Sequence, residues 1–79
     1  MMIRVQYFST LRDLEGPTTL ELPENAVVGD AVEELKRILP RLANWEDKIL
    51  IAVGVEFAPA EQVLQPDDLL SLMPPVQGG

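Results

Sequence analysis

The chain has 79 residues, six Lys plus Arg against thirteen Asp plus Glu, a formal net charge of −7, and neither Cys nor His. That length predicts one domain with a single small core, and the missing residue types exclude disulfides, thiol or imidazole catalysis and zinc sites built from soft ligands, so catalytic side chains must come from a partner. The charge repels phosphate backbones and anionic lipids, which argues against nucleic-acid and membrane partners and favours a basic protein partner, and the lack of a membrane-length apolar run or a cleavable leader predicts a cytoplasmic protein.

Ile3, Val5 and Tyr7 alternate with Arg4, Gln6 and Phe8, the period of two of a strand with one buried face. Turn formers follow over Arg12–Pro17, and Thr18–Leu22 resumes a short β-type run before Pro23, which predicts a hairpin with a long loop. From Val28 the spacing changes. Val28, Val32, Leu35 and Leu39, joined by Ala31 and Ile38, form an apolar stripe at three- and four-residue intervals that Pro40 closes, predicting a helix over Val28–Leu39. Val27 is a poor cap for it, although Asp30 sits well near the positive end.

Between Leu42 and Asp47 the pattern lapses, with Trp45 as a structural anchor for the loop. Ile49–Val53 reads as a mostly buried strand, Gly54 permits a turn or bulge before Val55-Glu56-Phe57, and Pro66-Asp67-Asp68 turns the chain into a last strand over Leu69–Met73. Strand, strand, helix, strand, short strand, strand is the order of a two-layer α+β roll, a mixed sheet packed against one main helix with the first and last strands adjacent and parallel.

Behind that strand the chain runs Pro74-Pro75-Val76-Gln77-Gly78-Gly79. Two prolines cannot join a sheet and hold the backbone extended, and from Pro74 onward the tail reaches roughly 18–20 Å. Gly78 and Gly79 have no Cβ, so they fit a channel too narrow for other residues and carry the terminal carboxylate into a partner's cleft.

Asp67-Asp68-Leu69-Leu70-Ser71-Leu72-Met73-Pro74-Pro75-Val76-Gln77-Gly78-Gly79 resembles the end of the molybdopterin synthase small subunits, which belong to the ubiquitin-like sulfur-carrier family. The likeness covers essentially the whole chain: Ile3–Phe8 with Leu11-Arg12-Asp13 is similar to the family's first strand and following loop, and Val53-Gly54-Val55-Glu56 stands where the family writes Val-Asn-x-Glu. Asp67 and Val27 replace the usual Gly of the last turn and the usual Thr of the helix cap. The resemblance implies a ubiquitin-like β-grasp domain over residues 1–73 and a diglycine tail over 74–79. It also implies three partners: a ubiquitin-activating-like adenylyltransferase that uses ATP, a sulfur donor protein, and the synthase large subunit. Gly79 is then the adenylated and thiocarboxylated residue, Gly78 serves threading, and the chain itself holds no cofactor or metal. A thiamine-pathway sulfur carrier and a ubiquitin-like protein modifier use the same terminus, and an inert acidic scaffold is the bland alternative. The Pro74-Pro75 lead favours the pterin carrier over the thiamine-pathway one.

Strand parity locates the expected docking face. If Ile3, Val5, Tyr7, Leu70 and Leu72 face the helix, then Phe8, Leu69 and Met73 face away, with Phe57 beside them. Phe8, Phe57 and Met73, continued by Pro74, Pro75 and Val76, form the expected partner interface. Glu15, Glu56, Asp67 and Asp68 are candidates for its acidic rim.

Overall fold

The computed structural model describes residues 1–75, apart from the side chains of Glu46 and Asp47. Six elements of regular structure follow the expected order: β1 (Met2–Tyr7), β2 (Thr19–Glu21), α1 (Val28–Ile38), β3 (Leu50–Val53), β4 (Glu56–Phe57) and β5 (Leu69–Met73). They build a mixed sheet ordered β2-β1-β5-β3-β4. β1 lies parallel to β5, with Val5 opposite Leu70 and Tyr7 opposite Leu72. β2 pairs antiparallel with β1, and β3 antiparallel with β5.

The register explains the burial. Ile3, Val5, Leu20, Leu70 and Leu72 share one sheet face and are buried, and Val28, Ala31 and Leu35 of α1 are buried in the same core. Each large side chain so covered contributes about 1.5–3 kcal/mol. Val32 and Leu39 pack at the margin of this core. Ile38, which spacing placed in the helical stripe, is instead 41% exposed, because α1 ends there and Leu39 has left helical geometry. The N-terminus of α1 has a partial cap, with the Asp30 carboxylate accepting the Val27 N–H at 2.9 Å.

Two segments expected as turns and loop are 3-10 helices. The first spans Ser9–Leu14 and buries Leu11 and Leu14; the second spans Pro40–Lys48 and includes the buried Leu42. With three residues per turn, side chains at i and i+3 eclipse, so Leu11 and Leu14 point the same way, and so do Leu42 and Trp45. Trp45 packs against the core, the anchoring role expected of it.

β3 starts at Leu50 rather than Ile49 and is not buried throughout. Ile51 and Val53 lie opposite Leu72 and Leu70 and pack on the core, whereas Leu50 is on the other face, 36% exposed. Ala52, on the face of Leu50, is nevertheless buried where it stands between Ser71 and Phe57, while the core-facing Ile51 and Val53 are only half-buried. Gly54 takes φ 64 in the β3–β4 turn, the left-handed conformation for which a glycine is suited. Asp67, in the turn before β5, has φ 66, a region that Asp enters more readily than most residues. No helix among the described residues is long and apolar enough to cross a membrane.

Candidate docking face and tail root

The sheet face turned away from α1 is built by a row of residues running across four strands. Gln6 stands opposite Ser71, Ser71 opposite Ala52, and Ala52 opposite Phe57. Small side chains in the middle of this row leave a hollow of about 210 Å³, lined by Gln6, Phe8, Ala52, Phe57, Ser71 and Met73 with the Gly54-Val55 turn. Gln6 Nε2 donates to Ser71 Oγ at 3.1 Å, and Ser71 is only 3% exposed. The floor is therefore polar and internally satisfied, while the rim is apolar.

Phe8 lies one residue past β1, but its N–H donates to the Leu72 carbonyl at 3.0 Å, which continues the strand path and keeps Phe8 on the face of Gln6. It is 42% exposed, Phe57 is 70% and Val55, at the hairpin tip, is 98%. Met73 is half-buried and pairs with Leu50 as the last residue of β5. Parity thus brings Phe8, Phe57 and Met73 together around one hollow. Pro74 and Pro75 follow Met73 outside the ladder, so the chain leaves the sheet at the edge of this hollow. Val76, Gly78 and Gly79 lie outside the described residues.

Among Glu15, Glu56, Asp67 and Asp68, none lines the hollow. Glu15 ends the first 3-10 helix. The Asp67 carbonyl accepts Arg4 Nε and the other guanidinium nitrogen Nη2 at 3.2 and 3.1 Å, and the Asp68 carboxylate accepts the Gln65 N–H at 2.8 Å. These are turn-stabilising contacts at the start of β5. Sequence reading missed Gln6, Ser71 and Ala52, whose only signal was their place between apolar neighbours on the outward parity, and Val55, which no periodicity marks.

A larger groove, about 460 Å³, runs between α1 and β3, lined by Val28, Val32, Lys36, Ile51 and Ala58 among others. It shares Phe57 with the hollow but holds neither Phe8 nor Met73. What the outer face offers chemically is an apolar seat beside Pro74-Pro75; its one buried hydroxyl among the described residues, on Ser71, is held in a hydrogen bond.

The model of the ThiS family matches residues 5–79. The chain is 30% identical over 81 residues to the molybdopterin synthase sulfur carrier subunit of Haemophilus influenzae, covering 99% of this chain and 100% of that protein. In structure it is similar to SAMP1 of Haloferax volcanii, with a TM-score of 0.85 at 27% identity and full coverage of both chains. It is also similar to a putative molybdopterin converting factor, subunit 1, of Pyrococcus furiosus, with a TM-score of 0.84 at 28% identity over 95% of this chain and 98% of that one.

Proposed function

Because the chain belongs to the ThiS family, we propose that it is a sulfur carrier whose Gly79 carboxylate is converted to a thiocarboxylate and spent in building a pterin dithiolene, as the small subunit of a molybdopterin synthase. The observation that carries this reading is the geometry of the tail root, where β5 ends at Met73 and Pro74-Pro75 leaves the sheet beside an apolar hollow rimmed by Phe8 and Phe57. A partner that seats the hollow receives the tail in a defined direction. The near full-length match to a synthase carrier subunit supports the same reading.

A carboxylate resists attack because its charge is delocalised and its leaving group is oxide. Attack of Gly79 oxygen on the α-phosphate of ATP, held by an activating partner, releases pyrophosphate and gives an acyl adenylate. A persulfide sulfur of a donor protein then adds to the Gly79 carbonyl, AMP leaves with the bonding pair, and partner hydrogen-bond donors stabilise the intervening oxyanion; a second thiol of the donor side cleaves the S–S bond of the resulting acyl disulfide, leaving the thiocarboxylate on Gly79 and a disulfide on the donor. The large subunit next takes the charged tail and passes the sulfur to the pterin precursor. This chain supplies binding and the consumed terminus.

Deleting Gly79 tests the reading. The shortened protein should keep the melting temperature of the parent, and pyrophosphate release with the activating partner should vanish; adenylation at the parental rate would refute the role of Gly79. The likeness to SAMP1, a small archaeal modifier protein, favours a second reading, isopeptide transfer of Gly79 to lysines. Intact mass separates the two, since exchange of oxygen for sulfur adds an increment of atomic size and conjugation adds a protein.

A further inference from the structure

Hydrogen bonds define two ends of this molecule. At one end, Phe8 meets Leu72, Tyr7 Oη donates to Pro17, and Leu39 lies against Gly16. That end gathers both 3-10 helices, the C-terminus of α1, the start of β3 and the root of the tail. At the other end Asp67 N–H donates to Met2, Leu22 N–H to Met1, and Gly29 N–H to Ala60, so the start of β1, the end of β2, the N-terminus of α1 and the start of β5 converge there.

The charges divide along this axis. Arg12, Lys36, Arg37, Arg41 and Lys48, five of the six Lys and Arg residues, belong to the segments of the tail end, as do the acidic residues Asp13, Glu15, Glu46 and Asp47, and Arg37 is ion-paired with Glu34. The far end has Arg4 and the Met1 ammonium, the latter ion-paired with Glu21, against Glu21, Glu24, Asp30, Glu56, Glu61, Asp67 and Asp68. Glu33 and Glu34 sit at mid-helix. Almost all of the net charge of −7 therefore resides away from the tail, and the end that bears the tail is close to neutral.

Resting on the proposed adenylation, we propose that this segregation orients the carrier during encounter, tail end first, toward the phosphates of the nucleotide held in the activating partner's cleft. A uniformly spread charge of this size would repel a polyphosphate from every direction; the observed distribution repels it from the far end and accepts it at the tail end. Screening confines the effect to about the last 8–10 Å of approach at physiological salt. The overall acidity that favours a basic partner thereby belongs to the far end and the middle of α1.

The test holds net charge constant while moving it. Arg41 and Glu24 are both exposed, and Arg41→Glu combined with Glu24→Arg leaves the net charge unchanged while weakening the asymmetry. Lys48→Glu with Glu61→Lys does the same at different positions. Each pair should melt like the parent and lower the second-order rate constant for adenylate formation by about 3–10-fold at low salt, the difference closing near 1 M salt. Association with the nucleotide-free partner, followed by stopped flow, should be less sensitive to either pair. Parental rates in both variants, a defect in only one of them, or an equal defect in nucleotide-free association would overturn the proposal. If the parent protein forms no adenylate, the sulfur-carrier reading fails separately, and relaxation of amides by anionic and cationic spin probes on the isolated chain still decides the orientation: equal approach of the anionic probe to both ends overturns it.

Discussion

Gly16 has no room for a side chain. A Cβ there meets the Tyr7 hydroxyl and lies 2.6 Å from Leu39 Cδ1. Both are side-chain ends, but Tyr7 is pinned by donating to the Pro17 carbonyl at 2.8 Å and cannot swing aside without losing that bond. Gly16→Ala should therefore cost about 1–3 kcal/mol, measured as a lower denaturant midpoint with an unchanged m-value. The same phenol makes the fold sensitive to alkali. Burial pushes its pKa up to about 12, whereas the unfolded chain titrates near the ordinary value of about 10. Above pH 10 the unfolded state thus releases the proton first, and stability falls as pH rises through the window up to about 12, with no contribution below it. Tyr7→Phe, although less stable at neutral pH for want of the hydrogen bond, should lose less between pH 10 and 12 in parallel thermal melts.

At the scale of elements, the docking face is a product of strand pairing. Gln6, Ser71, Ala52 and Phe57 come from four strands that are distant in sequence, and they form one row only because β1 and β5 lie parallel and in register. The face can therefore be altered without touching the core behind it. Phe57→Asp and Phe8→Asp place a carboxylate where the side chain already meets solvent, so each should leave the melting temperature within a few degrees of the parent. If Phe57 and Phe8 anchor the partner, binding to the large subunit should weaken by about 2 kcal/mol or more, on the order of 30-fold, read by calorimetry. Leu72→Asp, on the same strand as Met73 but fully buried, is the contrasting case: it should unfold the domain, since an unpaired buried carboxylate costs several kcal/mol. A collapsed melt for Phe57→Asp, or parental affinity in both outer-face variants, would remove this surface from the interface.

For the molecule as a whole, the proposed chemistry sets a stoichiometry. One Gly79 carries one sulfur and a dithiolene needs two, so each product should consume two charged copies of the protein. Counting thiocarboxylate lost per dithiolene formed, with purified large subunit and no other sulfur source, should return two. A ratio of one, or product formed from uncharged protein, would contradict a carrier that is spent and recharged.

Period-two and period-3.6 patterns in the sequence were enough to establish the order of elements, the inward faces of β1 and β5, the helix over nearly its whole length and, through parity, the outward placement of Phe8 and Met73, whereas parity left Phe57 open between this face and the core. Those properties are local: a strand alternates its side chains and a helix stacks them wherever it lies. The two 3-10 helices were overlooked because the period of three linking Leu11 to Leu14 and Leu39 to Leu42 and Trp45 is short and resembles a loop. Other features had no local signal at all. The burial of Ala52 on the outer face of β3 follows from its place between Ser71 and Phe57, the hollow from small residues of two strands meeting side by side, and the charge balance of the tail end from which loops the topology gathers there. Each depends on residues far apart in the chain being brought together, and only the tertiary structure decides that.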